Sequence, residues 1–299
     1  MPLTEVGVFV SSSFLARALP KPVVIAMESQ TVPTYPEGVM NQIARLWRLL
    51  LLSSVLWTTS PASAVDPFDH THARYAAILS ESVSNGSVDY SRLRVSPGAL
   101  DAYLNELAEV KPEEFAAWGR EERLALLLNL YNARTLRLIV DHYPLKSIRE
   151  IGVLPGAAWR ERVVRFGGEI MTLGHLENKI IRAEYGEPRI HFALVCAAKG
   201  CPVLRSEPYA GHRLDRQLDE QAKQFLATPE KNRFDTAKNT LWLSPIFKWY
   251  EEDFTGKEGS LAGYVKAFLP EESRQALDRA AKVKVRYTDY DWSLNEWVH

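Results

Sequence analysis

The residues best suited to chemistry stand close together, in the run from Arg189 to Pro202 that reads RIHFALVCAAKGCP. His191 is a base. Cys196 is a thiol, and a thiol attacks only as the thiolate that a neighbouring base promotes. Lys199, Gly200 and Pro202 suit a turn, where reactive groups are commonly displayed. On a regular strand side chains alternate faces, so His191 and Cys196, five positions apart, would point opposite ways. A dyad therefore requires the chain to turn before Cys196. A turn is equally needed to join Cys196 to Cys201, the only other cysteine. Five extended residues span roughly 16 Å, whereas a disulfide holds its Cα atoms within about 7 Å. A buried free thiol is the third fate open to Cys196. Residue types and spacing leave dyad, bridge and buried thiol all standing.

Three further groups are candidates to serve that run. Glu177 lies on a helical pattern over residues 173–185, with apolar neighbours on one side. It could orient His191 or act as a base, or simply pair with Lys179 or Arg182 at the surface. Asn129 and Asn132, three apart, share a helix face, and buried amides must be hydrogen-bonded. They are candidates to bind substrate or its oxyanion, together with Lys199, or else to tie their helix to a loop. His70 and His72 could ligate a metal, but no third ligand stands nearby and metal sites need three or four. The aromatic runs WYEEDF (249–254) and YDWSLN (290–295) read chiefly as core and corner fasteners, with Asp291 and Asn295 able to line a cleft. No glycine-rich phosphate loop, G-x-S-x-G, H-E-x-x-H or C-x-x-C occurs.

The elements that must position these groups follow from periodicity. Residues 121–142 form the strongest helix, nearly apolar all round in its first half and hence buried, and Tyr143-Pro144 ends it. Shorter helices are expected over 69–83, 97–110, 112–118, 214–226, 245–250, 261–268 and 272–281. Gly167-Gly168 turns a hairpin over 160–173, Thr172 caps the helix that follows, and 233–243 reads as a second hairpin. Residues 189–196 suit a buried strand, and 283–287 a closing one. Helices and hairpins without a βαβ rhythm predict an α+β fold: a buried central helix packed on an antiparallel or mixed sheet with hairpins.

Composition is ordinary for a globular chain, and the formal net charge of -1 excludes a nucleic-acid partner driven by basic excess. Residues 40–64 carry the parts of a secretory signal peptide: Arg45 and Arg48, the apolar run 49–57 and the Ala62-Ser63-Ala64 cleavage signature. Residues 1–39 read as an upstream extension foreign to the native product. The mature part, 65–299, has roughly 235 residues, enough for one globular domain, and contains no further membrane-span pattern. A periplasmic or secreted location after cleavage near Ala64 permits disulfides.

Four segments in order, LLNLYNARTLRLIVDHYP, IHFALVCAAKGCPVL, SPIFKWYEEDF and YDWSLNE, resemble the family catalogued as domain of unknown function 547, from about His70 to Asn295. Two departures stand out. Leu126-Leu127-Leu128 replaces the family's phenylalanine-tryptophan-isoleucine, and Gly174-His175 replaces an acidic pair. The resemblance implies a bacterial exported protein, with a papain-like thiol-hydrolase relationship whose glutamate, histidine and cysteine fall on Glu177, His191 and Cys196. The expected activity is thus cysteine-dependent hydrolysis of a peptide or amide. Cys196 would attack, His191 would shuttle the proton, Glu177 would hold the imidazole, and Asn129 or a backbone N–H near Ala197 would stabilise the oxyanion. Such chemistry requires no metal or organic cofactor. The alternative is a non-catalytic periplasmic binding or scaffold protein with a Cys196–Cys201 disulfide.

Overall fold

A computed structural model describes residues 68–256, 259–280 and 282–297. The expected signal peptide and upstream extension lie outside the described residues. The fold is α+β, with helices and, among the described residues, three small sheets. Among the described residues no helix is long and apolar enough to cross a membrane.

Helix α1 (Ala73–Ser82) leads into the short pair β1 (Val83–Ser84) and β2 (Ser87–Val88). Helices α2 (Tyr90–Val95), α3 (Gly98–Glu109) and α4 (Pro112–Ala117) follow, and then the central helix α5 (Arg120–His142). Glu121 and Glu122 in its first turn suit the positive end of the helix dipole. Residues Leu124 to Tyr131 are all buried, so the expected apolar collar is real. This helix packs against α2, α3 and the hairpin β3 (Arg162–Phe166) with β4 (Glu169–Thr172). Gly167 and Gly168 close that hairpin in two residues, both with positive φ (60° and 79°), as a turn matched to strand twist requires.

The chain then continues as α6 (Leu173–His175), a π turn (Leu176–Ile181) and α7 (Arg182–Tyr185). Thr172 caps this segment, its hydroxyl accepting the His175 N–H at 3.0 Å. Helix α8 (Leu214–Leu226) precedes a mixed sheet of β5 (Arg233–Asp235), β6 (Thr240–Leu243) and β7 (Lys284–Tyr287), with β6 antiparallel to β5 and parallel to β7. Helices α9 (Ile246–Trp249), α10 (Glu251–Thr255), α11 (Leu261–Lys266) and α12 (Glu271–Arg279) connect β6 to β7.

Two apolar clusters result. The larger gathers α1 to α5 and the first hairpin; the smaller gathers part of α8, the mixed sheet and α9 to α12. The central helix thus packs chiefly on helices and a hairpin, and the mixed sheet belongs to the other cluster.

The expected strand at 189–196 is not one. Pro188–Phe192 is a 3₁₀ turn, capped by the Glu187 carboxylate on the Arg189 N–H, and the chain runs on irregularly through the cysteines. Its backbone is satisfied by side-chain amides in place of a neighbouring strand. Asn132 Nδ2 donates to the Ala193 carbonyl (2.9 Å), its Oδ1 accepts the Val195 N–H (3.0 Å), and Gln221 Nε2 donates to the Phe192 carbonyl (3.0 Å).

Candidate functional site

The cysteine loop is held by the C-terminal segment. The N–H groups of Lys199 and Gly200 donate to the carbonyls of Ser293 and Asp291, and the Asn295 N–H donates to the Ala197 carbonyl. Gly200 suits this stitching: a Cβ there would lie a tight 3.0 Å from the Asp291 backbone. Ala197, directly after Cys196, has φ of 60°, a left-handed conformation rare for a residue with a side chain. The loop turns the chain on itself, and Cys196 and Cys201 are joined as a disulfide with Cα atoms 6.2 Å apart. The nucleophile expected at Cys196 is therefore tied up here, and the bridge that spacing left open is made. The Cys196 N–H donates to the Cys201 sulfur (2.9 Å), and the Tyr290 hydroxyl lies 3.2 Å from Cys196 Sγ.

A cleft of about 280 Å³ opens beside the bridge, at the seam of the two apolar clusters. Cys196, His191 and Glu177 all line it. The three side chains singled out from sequence thus share one cavity, but their mutual roles differ from expectation. Glu177 does not hold the imidazole. That bond is made by Asp253, whose Oδ2 lies 2.6 Å from His191 Nε2. The physical reason is reach. Glu177 sits in the π turn with both carboxylate oxygens taken by tyrosine hydroxyls: Tyr131 donates to Oε2 (2.9 Å) and Tyr250 to Oε1 (2.6 Å). Trp159 Nε1 in turn donates to the Tyr131 hydroxyl (3.1 Å). A π turn is a recurrent feature of functional sites because it re-aims one side chain without breaking the helix.

Asp253 is clamped between two donors. Arg182 bonds both its oxygens (2.7 and 2.9 Å), and His191 shares one. Partial burial pushes the Asp253 carboxyl up, but these hydrogen bonds outweigh burial and hold it well below the usual carboxylate range. An ionised carboxylate only accepts, so the proton between them sits on His191 Nε2, and in the neutral ring Nδ1 carries the lone pair. The imidazole is 4% exposed and lies flat against Tyr250, with ring centroids 3.9 Å apart. Burial, then the Glu177 charge, raises the Tyr250 phenol, and burial raises that of Tyr290, so both remain hydroxyl donors at neutral pH.

The other candidates stand outside the cleft. Asn129 uses its whole amide on one residue, donating to the Tyr209 carbonyl (2.8 Å) and accepting the Tyr209 N–H (2.9 Å). Asn132 spends its amide on Ala193 and Val195 as described. Neither lines the cleft, and both tie the central helix to loops. Lys199 is exposed and is likewise absent from the cleft wall. Asp291 caps Ser293, and Asn295 bonds the Tyr90 hydroxyl and the Gly86 carbonyl. His72 is paired with the Tyr103 hydroxyl (2.9 Å), His70 packs on Trp118, and no metal-ligand cluster occurs among the described residues.

The residues that sequence reasoning undervalued are Asp253, Tyr250 and Tyr290. Tyr250 and Asp253 are three apart on a helical turn within WYEEDF, a spacing that places both on one face toward the site.

No curated protein and no solved structure gives a significant match to this chain. Residues 115–226, which carry the central helix, Glu177, His191 and both cysteines, match the model of the family described as a protein of unknown function, DUF547, a match that supports assigning the chain to that family.

Proposed function

We propose that the cleft is the active site of an exported cysteine-dependent hydrolase of peptide or amide bonds, with the disulfide as its resting form. The observation that carries this reading is that one cleft is lined both by Cys196 and by an imidazole fixed by an ionised carboxylate. An external dithiol would reduce the bridge, leaving two protein thiols and its own disulfide. The Cys196 thiol then passes its proton to His191 Nδ1 and attacks the carbonyl carbon. The C–S bond forms, the C–N bond breaks, and the imidazolium returns the proton to the leaving amine. Water, deprotonated by His191, attacks the thioester; a C–O bond forms and the C–S bond breaks, releasing acid and thiol. Asp253 holds the imidazole in the tautomer that this needs. The Tyr290 hydroxyl, beside the sulfur, is the donor for the oxyanion in place of Asn129, whose amide is committed. The signal-like run 40–64 supports export, which would supply the oxidising surroundings of the resting form.

The bridge itself favours a second reading, a non-catalytic exported binding protein whose disulfide shapes one wall of the cleft. A panel of fluorogenic aminoacyl and peptidyl amides separates the two. The hydrolase reading expects no turnover by the oxidised protein, turnover after reduction, turnover without reductant in Cys201→Ser, and none in Cys196→Ala with its circular dichroism intact. Equal turnover by Cys196→Ala ends it.

A further inference from the structure

We propose that the cleft binds a primary alkylammonium group, seated on the Glu177 carboxylate and walled by aromatic rings. The inference rests on the reading that this cleft takes the substrate, and it names the substrate's chemistry: a peptide or amide bearing a cationic amine beside the scissile bond.

The first observation is a buried carboxyl group with no ion-pair partner among the described residues. Glu177 is 6% exposed, and its oxygens meet two phenols and no cation. Among the described residues no lysine, arginine or histidine forms an ion pair with it, and neither lysine nor arginine lines the cleft. The Arg182 guanidinium feels Glu177 through space, but it is committed to Asp253 at two atoms and to Asn178 at a third. Arg182 is thus spent on Asp253, and the Glu177 carboxyl group on the cavity wall meets hydrogen-bond donors and no ion-pair partner. Buried charges are ordinarily paired. Each carboxylate oxygen accepts about two hydrogen bonds, so each retains a lone pair that an N–H donor could take.

The second observation is independent of the first. Six aromatic side chains line the same cavity: Tyr131, Trp159, Trp249, Tyr250, Tyr290 and Trp292. Trp249, Tyr290 and Trp292 pack on one another with centroids 4.6 to 5.8 Å apart, and Trp249 is 47% exposed at the rim. Aromatic faces around a desolvated cavity attract cations. Arg149 already lies 5.3 Å from the centroid of Trp292. At about 280 Å³ the cleft is small, just below the roughly 300–1,000 Å³ of small-molecule sites. It suits the amine end of a substrate and not a bulky side chain.

The test is a titration of the oxidised protein, in which Cys196 is bridged, with n-butylammonium and with its neutral isostere n-butanol at matched ionic strength. The readout is tryptophan fluorescence. The account expects butylammonium to bind at least tenfold more tightly than butanol, and Glu177→Gln to abolish that preference. Equal binding of the two probes by the wild type overturns the proposal, as does a preference that survives in a folded Glu177→Gln. If Glu177→Gln does not fold, the wild-type comparison alone decides. Because no turnover is involved, ammonium binding with no hydrolysis after reduction would sink the hydrolase reading and leave this site standing. Hydrolysis without ammonium preference would do the reverse.

Discussion

His191 illustrates how one neighbour sets a residue's capacity. Its Nε2 is bonded to a carboxylate that Arg182 keeps ionised, which fixes the tautomer and leaves Nδ1 to exchange protons. Asp253→Asn replaces that acceptor with an amide able to present either atom. We expect kcat of the reduced enzyme to fall by on the order of 10²–10⁴-fold. Tyr290→Phe should cost on the order of 10²-fold in kcat with KM little changed if its hydroxyl serves the oxyanion. At this scale the chemistry was partly legible. His191, Cys196 and Glu177 stand out by type and proximity, and the structure brings all three to one cleft. Asp253 did not stand out, since it is one of three consecutive acids in WYEEDF. Only the helical phase, with Tyr250 three positions before it, distinguishes the acid that faces inward.

Elements are positioned here by side chains that imitate backbone. Asn129 and Asn132, on the central helix, each offer a donor and an acceptor to a loop, as a neighbouring strand would. That is why the run 189–196 looked like a buried strand: it is apolar and buried, yet its hydrogen bonds go to amides distant in sequence, which no local pattern encodes. The long helix, the Gly-Gly hairpin and the Thr172 cap were legible because each depends on nearby residues only. Asn129→Ala leaves the N–H and carbonyl of Tyr209 unpaired in the interior. A loss of about 2–4 kcal/mol in urea unfolding is expected, with the m-value unchanged. A loss under about 0.5 kcal/mol would mean that the loop finds other partners.

Across the whole molecule, the cleft lies where two apolar clusters meet, and the C-terminal segment laces the cysteine loop to the β1–β2 turn. The fold depends little on the bridge, which closes a loop of only five residues in sequence separation. Removing both thiols with serine should cost roughly 2 kcal/mol and leave the circular dichroism unchanged. Acid should act in two stages. Burial lowers His72 from 6.5 to about 4, an effect that Asp69 only partly offsets. Its folded pKa lies below its unfolded one, so stability is full above about pH 6.5 and declines as pH falls toward 4, by on the order of 3 kcal/mol. Asp253, also held below its ordinary value, adds a further loss below about pH 4. His72→Asn, suited to the left-handed backbone at that position, should flatten the first stage in thermal melts and leave the second. The central claim concerns Cys196, and its most direct test needs no substrate. Alkylation of the reduced protein by iodoacetamide is followed against pH, with peptide mapping, in the wild type and in His191→Gln. The account predicts that Cys196 reacts with an apparent pKa well below the roughly 8.5 of an ordinary thiol, and that His191→Gln raises it. An apparent pKa at or above that value, unmoved by His191→Gln, would contradict the account.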